Sequence, residues 1–558
     1  MHEAAAFGYN GRVNTLNSII TDAAPSSQEK LRKTFPKGQP GLRLALLAGL
    51  LLFLANPPFH LWPLAWVAVV PLIVSVNRAG RWRQAVWRGY LFGWAFLGPT
   101  WYWTALTITG WTEQPAVGLG AWFILTLILA SYYGLWGGVT WWVSRRVTGH
   151  WRIVLPAALW VLMEWLRTVG ATTMPWAQVS YTQYHFLPVL QIAEWTGAYG
   201  ISFLILLLNA ALAYRWMNRD KPDSGQPALG VVALIAFVCI FGVLRLSIPD
   251  TGRPLVVAAM QGNFKSNDAH ETRAQEYLTF SELTREAYAS SPRPSLYVWG
   301  ESASPGDALT DDGTFTYLRT LARQVQAPVM VGTRVKEVRY ARSHRIDIES
   351  NASVLFPADS SKPQRYNKQR LVPYGEFIPL RALIPPQLDD SLQIPVNDVT
   401  PGSEATVFRF QAPQAGEVAL GPFICYESMY PLYARSAVRN GANLLVTQSN
   451  DDWFKSEAAM EQHVAAVVLR AVETRRQVVR STTTGITCFI DSHGAITQRA
   501  PINAKAVLKQ TVILREGRTL YVLLGDWFVL ACAVLVAFAL WKHQATPPTK
   551  PRKEGDVA

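Results

Sequence analysis

The sequence predicts an integral membrane protein, an all-α bundle of eight transmembrane helices joined to a separate α/β sandwich domain. Three observations lead there. Half of the 558 residues are hydrophobic and only 16% are charged, against roughly a quarter in an ordinary soluble domain. The apolar residues gather before about residue 248 and again near the C-terminus. Between them, 249–515 has ordinary soluble composition and suffices for one large domain. This much apolar material excludes a disordered or fibrous chain.

A spanning helix needs about 20 mainly apolar residues. Seven such stretches precede the middle domain, near 41–58, 60–77, 86–108, 117–144, 152–168, 196–217 and 227–247, and an eighth lies near 519–541. The first two share the turn Asn56-Pro57-Pro58-Phe59 and read as a tight hairpin.

Loop charge gives the orientation. Basic residues cluster in the N-terminal tail (Lys30, Arg32, Lys33, Lys37, Arg43) and in the loops after spans 2 (Arg78, Arg81, Arg83, Arg88), 4 (Arg145, Arg146, Arg152) and 6 (Arg215, Arg219, Lys221). They recur in the C-terminal tail (Lys542, Lys550, Arg552, Lys553), while the alternate loops hold almost none. By the positive-inside rule both termini are cytoplasmic and the middle domain is outside. The net charge of +13 then records topology and calls for no nucleic acid. The expected order is a cytoplasmic extension over 1–40, seven helices over 41–248, an outer domain over 249–515, an eighth helix over 516–541 and a cytoplasmic tail over 542–558. The polar start does not fit a cleaved signal peptide.

The outer loop 170–195 carries Trp176, Tyr181, Tyr184 and Phe186. They read as headgroup-level anchors, or as a wall beside an outer active site. Glu164 and Glu194 sit near span ends, from which they are expected to reach water. The four cysteines (Cys239, Cys425, Cys488, Cys532) show no CxxC and no regular spacing, so neither a disulfide framework nor a zinc ribbon is expected.

In the middle domain, strands over 254–260, 296–299, 328–332, 352–357, 417–426 and 442–448 alternate with helices over 270–289, 314–325, 428–439 and 456–478. That alternation gives the α/β sandwich. Two strands end in reactive groups: Trp299-Gly300-Glu301 and Ile424-Cys425-Tyr426-Glu427. Between them lies a Pro/Gly-punctuated loop, Tyr366 to Phe377, with Lys368 and Glu376. Alone, each is ordinary: a solvated carboxylate, an inert buried thiol, a surface lysine. Together they supply what acyl transfer through a thioester needs: a nucleophile, a base and a cation for the oxyanion. A Cys–His pair using His463, on an amphipathic helix, or His493, in an Asp-Ser-His-Gly turn, is the alternative. Cys488 reads as a buried core thiol. No HExxH, P-loop or dinucleotide fingerprint appears, so no metal or cofactor is expected.

At these residues the chain resembles the nitrilase (carbon-nitrogen hydrolase) superfamily and, within it, the apolipoprotein N-acyltransferase family. The resemblance covers nearly the whole chain apart from the two termini. It implies a nitrilase-like αββα sandwich, and a catalytic triad falling on Glu301, Lys368 and Cys425. Supporting roles fall on Glu376, Tyr426 and Glu427, with Trp176, Trp453 and His270 as candidates for the substrate wall. Ser449 to Phe454 resembles an NDxWF motif, Arg470-Glu473-Arg476 an RAxExxR segment, and Met174 to Tyr181 an outer-loop MPW…Y pattern. Gly300 stands where the family usually has Pro, His270 where it often has a mobile Trp, and Asp452 where Ala is common.

The implied activity moves an acyl chain from a membrane phospholipid, through a Cys425 thioester, to the α-amine of a diacylglyceryl-cysteine at an apolipoprotein N-terminus. The implied location is the bacterial inner membrane, with the catalytic domain periplasmic, and a monomer is expected. The competing readings are a membrane-bound amidase releasing ammonia, a transporter with an accessory domain, and a catalytically impaired lipoprotein-binding homologue. The spans argue against the first, and the scarcity of midplane charge against the second.

Overall fold

The computed structural model describes residues 40–170, 173–264, 271–341, 344–378, 381 and 398–543. Apart from Pro40, Lys542 and His543, the two terminal segments lie outside the described residues, as does His270.

The first half is helical: α1 (Pro40–Ala55), α2 (Ala65–Ala68), α3 (Val70–Asn77), α4 (Trp82–Thr100), α5 (Trp103–Thr112), α6 (Pro115–Ser144), α7 (Trp151–Leu166), α8 (Leu187–Leu190), α9 (Ala193–Thr196), α10 (Ala198–Met217) and α11 (Gln226–Leu246). By length and apolarity, three described helices can cross a membrane: Pro115–Ser144, Ala198–Met217 and Pro222–Leu246. The other expected spans fall on shorter or interrupted helices. The second breaks ahead of Pro71, and the third breaks at Trp101 and Tyr102, just after Pro99. α1 and α7 have 16 residues each, about 24 Å of helix against a hydrocarbon core of about 30 Å. The lipid-compatible faces are plain: Leu229, Phe237 and Ile240 on α11 are each more than 60% exposed.

The second half is a four-layer sandwich. One sheet runs β12-β1-β2-β3-β4-β5 and the other β11-β10-β9-β8-β7-β6. Its strands are β1 (Arg253–Gln261), β2 (Leu296–Val298), β3 (Val329–Ala341), β4 (His344–Phe356), β5 (Gln364–Asn367), β6 (Phe408–Ala412), β7 (Gly416–Ile424), β8 (Leu444–Ser449), β9 (Val478–Thr482), β10 (Cys488–Ile490), β11 (Ile496–Arg499) and β12 (Ala506–Leu514). β1, β2 and β3 run parallel, as do β7, β8 and β9. α12 (Glu271–Ala289) and α13 (Asp312–Gln324) pack on the first sheet through Phe280, Leu283, Leu318 and Leu321. α14 (Pro431–Arg439) and α15 (Glu457–Thr474) lie by the second, and α16 (Leu520–Leu524) leads into the apolar α17 (Trp527–Lys542). The sheets are tied face to face where Ser481 Oγ donates to the carbonyls of Met260 (2.8 Å) and Val298 (2.9 Å).

Several expectations change. The strand expected over 417–426 stops at Ile424, and Cys425 opens a 3₁₀ turn. The short strands expected at 328–332 and 352–357 are the inner ends of a long hairpin, β3–β4. α15, expected to be amphipathic, is buried along nearly its whole length, because the outer loop covers the face that would meet water. Trp176, Tyr181 and Tyr184 in that loop are buried and anchor no headgroups. Glu164 does not reach water: at 1% exposure it accepts from Trp160 Nε1 and the Val179 backbone. Glu194 is 9% exposed and pairs with Arg245 (3.3 Å) and Arg475 (2.5 Å).

Candidate active site

Parallel strands place their C-terminal ends together, the usual position of sites in such sheets. Glu301 follows β2, Cys425 follows β7, Asn450 follows β8, and Lys368 follows β5. The four line one small cavity of about 100 Å³, with Glu376, Arg334 and Tyr426. Trp111, Trp176, Trp453 and Phe454 line it too.

Cys425 sits at a sharp strand-to-helix turn with φ of 50° and is 7% exposed. A non-glycine residue holds that conformation only when its surroundings fix it, at a cost of about 1–3 kcal/mol. Glu427 does much of the fixing. Its carboxylate accepts from the backbone N–H groups of Ile424 (2.6 Å), Gln369 (2.6 Å) and Arg370 (3.2 Å) and from the Tyr366 hydroxyl (2.8 Å). One buried side chain thereby ties the cysteine turn to the lysine loop.

Lys368 is 1% exposed. Its Nζ lies 3.2 Å from Glu301 Oε1 and 3.0 Å from Glu376. Burial disfavours the ammonium, but the two carboxylates, Glu301 first, outweigh it and hold the Lys368 pKa well above its ordinary value. Burial likewise opposes ionisation of Glu376, and Lys368 and Arg334 reverse it, so its carboxyl lies below the usual range. Burial pushes the Cys425 thiol up, Glu301 pushes it further, and Lys368 only partly offsets them. The resting sulfur is therefore a neutral thiol.

Sequence reasoning missed Asn351, on β4. Its Nδ2 donates to both Glu301 Oε1 (2.7 Å) and Glu376 Oε1 (2.8 Å), holding two like charges in register. It also missed Arg334, 3.9 Å from Glu376, and Trp111 at the pocket mouth. An amide side chain at the head of the mainly apolar Ala352–Phe356 run was the available signal for Asn351. Glu301 is further held by the Asn450 backbone N–H at 3.0 Å.

Of the expected wall residues, Trp453 is partly exposed and edge-on to Trp111 at 5.4 Å, while Trp176 is buried and donates to Gln462 (2.6 Å). Tyr426 points away from the cluster, its hydroxyl donating to the Thr173 carbonyl at 3.0 Å. His463 lies under the cysteine turn, not at the sulfur. Its Nε2 is 3.0 Å from the Cys425 carbonyl and its Nδ1 3.1 Å from Asp451, which also takes Arg480 at 2.5 Å. His493 sits beside Asp250 at 3.8 Å, and Cys488 is buried in β10. Of the departures, Asp452 is paired with Lys455 at 2.6 Å, so its charge is balanced locally. At Gly300 a Cβ would stand 2.1 Å from the Thr483 nitrogen, so this backbone approach requires glycine. Among the described residues no His/Cys/Asp/Glu group could hold a metal ion.

The two halves match two family models: the apolipoprotein N-acyltransferase N-terminal domain over 48–211 and the carbon-nitrogen hydrolase domain over 257–519. An apolipoprotein N-acyltransferase of Geobacter metallireducens is 34% identical over 510 residues, covering 89% of this chain and 94% of that one. One of Pseudomonas putida is 31% identical over 517 residues, covering 90% and 97%. Among solved structures, a Saccharomyces cerevisiae member of the nitrilase superfamily aligns at 16% identity, covering 54% of this chain and 97% of its own, with a TM-score of 0.34. With both halves matched and relatives of one name aligned over about nine-tenths of the sequence, the chain belongs to the apolipoprotein N-acyltransferase family.

Proposed function

We propose that Glu301, Lys368 and Cys425 are the acid-base group, the oxyanion cation and the nucleophile of a ping-pong N-acyl transfer between membrane lipids. The observation that carries this reading is the buried ammonium of Lys368 between Glu301 and Glu376, in one small cavity with the Cys425 thiol. N-acylation of lipoproteins is the family's activity; the residue roles are this reading's own.

Glu301 takes the thiol proton as Sγ attacks the ester carbonyl of a phospholipid. Lys368 and nearby backbone N–H groups stabilise the oxyanion. The C–O bond breaks, the lysophospholipid alcohol leaves with the proton from Glu301, and a thioester remains. The α-amine of a diacylglyceryl-cysteine then attacks. Its proton passes to Glu301, the C–S bond breaks, and the proton returns to the sulfur. Glu376 orients Lys368, Glu427 fixes the two loops, and Tyr426 holds the turn to the outer loop.

The cavity takes only the reacting carbonyl, so the acyl chain must lie outside it, along Trp111 and Trp453. Each CH₂ buried there contributes roughly 0.8 kcal/mol. In this reading all eight apolar segments cross the inner membrane over 41–248 and 516–541, with α2–α3 and α4–α5 each traversing as a broken pair. Both termini are cytoplasmic, 249–515 is periplasmic, and the chain acts as a monomer. Loop charge supports that orientation.

The test is incubation of purified wild type and Cys425→Ala with labelled phospholipid. A hydroxylamine-sensitive acyl-enzyme is expected in the first alone. Its appearance in the variant rejects the nucleophile assignment, and ammonia release from small amides favours the amidase reading.

A further inference from the structure

We propose that the face formed by α14, α16 and the turn between β12 and α16 is a docking site for the phosphodiester headgroup of an anionic phospholipid. The site is separate from the cavity holding Cys425. It rests on the reading of α17 as a span with the sandwich on the outer side.

Four arginines on this face have no carboxylate partner among the described residues: Arg435 and Arg439 on α14, Arg476 just past α15, and Arg518 in the turn. Arg476 is the most telling, at 3% exposure. Its donors go only to carbonyls, among them Ala442 (2.8 Å) and Gly517 (2.6 Å). A buried guanidinium with no carboxylate at ion-pair distance is costly: burial first, then Arg515, draws its pKa down to about 10, and the field of Glu516 only partly offsets them. Arg435 Nε has no hydrogen-bond partner, and its guanidinium faces the Tyr521 ring at 5.9 Å. Arg518 reaches across to the Arg439 carbonyl at 2.8 Å, joining turn and helix.

Arg476 and Arg518 line a cleft of about 660 Å³. The carboxylates around it are already taken: Glu516 by Arg253 (3.1 Å), Glu417 by Arg409 (2.5 Å) and Asp250 by Arg515. Glu417 and Glu516 line the cleft, but with Arg253, Arg409, Arg476, Arg515 and Arg518 also in its wall the balance stays positive and favours an anionic over a zwitterionic headgroup. Guanidinium forks match phosphate oxygens.

The rim places this charge at lipid. Leu523 lines the cleft. Leu432, Leu520, Leu523 and Leu524 are 51%, 42%, 50% and 57% exposed. Three of them lie on α16, immediately before α17 begins at Trp527. Exposed leucines flanked by arginines form the pattern of a segment seated at the headgroup boundary.

The test uses full-length protein in detergent and native mass spectrometry with phosphatidylglycerol, phosphatidylcholine and glycerol 3-phosphate. Wild type should retain phosphatidylglycerol at least about tenfold more tightly than phosphatidylcholine. The Arg435→Gln/Arg439→Gln/Arg518→Gln variant should lose that preference while still forming the Cys425 thioester from a soluble ester. Should that variant fold poorly, Arg439→Gln/Arg518→Gln, at the two exposed sites, should still reduce the preference. Equal retention of both lipids by wild type, an unchanged preference in the variants, or displacement of the lipid by equimolar glycerol 3-phosphate overturns the proposal. Loss of thioester formation in wild type would instead reject the catalytic reading and leave this site standing.

Discussion

The hydroxyl of Tyr426, the residue after Cys425, donates to the carbonyl of Thr173 at 3.0 Å, across 253 positions of sequence. Through this bond the cysteine turn rests on the outer loop of the helical half. Tyr430 donates its one hydroxyl proton to the same carbonyl at 2.8 Å, with the Tyr426 oxygen a longer contact at 3.2 Å.

That redundancy makes a prediction. In Tyr426→Phe the Thr173 carbonyl keeps one donor, so the loss is that of an ordinary hydrogen bond, about 0.5–1.5 kcal/mol. In Tyr426→Phe/Tyr430→Phe the carbonyl loses both hydroxyl donors, and a buried unsatisfied acceptor costs about 1–3 kcal/mol more. Thermal unfolding of the four proteins should therefore show a double variant worse than the sum of the singles. Additivity would mean that the two hydroxyls do not share the load.

Asn351 yields a second prediction. Its amide donates to both Glu301 and Glu376, and hydrogen bonds to charged groups are worth about 1.5–3 kcal/mol each. Asn351→Asp removes both and adds a third carboxylate to the cluster. The rate of thioester formation should fall by about a hundredfold or more, measured in a single turnover. A fall below tenfold would show that Lys368 and the Asn450 N–H set the position of Glu301 without Asn351.

How far these residues could be read from the sequence follows from where their partners lie. Glu301 and Cys425 were legible only as a set: each ends an apolar strand and is ordinary alone, but together with a lysine they match the needs of thioester chemistry. Lys368 stood out from its Pro/Gly-punctuated loop. Asn351 did not, because its meaning lies in Glu301, 50 positions away, and Glu376, 25 positions away. Periodicity identified α15 as a helix, yet could not foresee the outer loop that covers its second face. Hydropathy located the apolar segments but not their breaks, since Pro71, Pro99 and Gly525 change helix geometry without making a segment less apolar.

Removing Lys368 tests the electrostatics. Lys368→Met leaves Glu301 and Glu376 facing each other without their cation, and breaking such a buried pair costs about 3–5 kcal/mol. Both folding stability and thioester formation should fall. Adding Glu376→Gln removes one of the stranded charges, so part of the stability should return while activity does not. Recovery of activity in the double variant would deny Lys368 its role at the oxyanion.

Glu427 gives the stability a pH dependence of known sign. Burial raises its carboxyl from the ordinary 4.5 to about 7, against the pull of the donors that surround it. The folded chain therefore binds this proton more tightly than the unfolded chain. The associated stability is complete below about pH 4.5 and is lost as pH rises through about 7. The slope is at most about 1.4 kcal/mol per pH unit. Glu427→Gln removes the titration and leaves one backbone N–H facing an amide group, so it should be less stable than wild type at pH 5. The gap in Tm between the two should narrow between pH 5 and 7 and level off near pH 8. A gap that stays constant over that range would mean that the donors, not burial, control this carboxyl.

The pocket mouth allows chain-length discrimination to be separated from chemistry. Trp453 and Trp111 meet edge-on at 5.4 Å, are 37% and 36% exposed, and border the cavity. Trp453→Ala removes apolar wall but no catalytic group. For a long-chain phospholipid donor, kcat/KM should fall by about tenfold, the equivalent of losing contact with one or two methylenes. For a short soluble ester, whose chain barely extends beyond the reacting carbonyl, it should hardly change. The effect should appear in KM, because wall contacts hold ground state and transition state alike. If kcat falls equally for both donors, Trp453 is acting on the geometry of the neighbouring Asn450, whose backbone N–H holds Glu301.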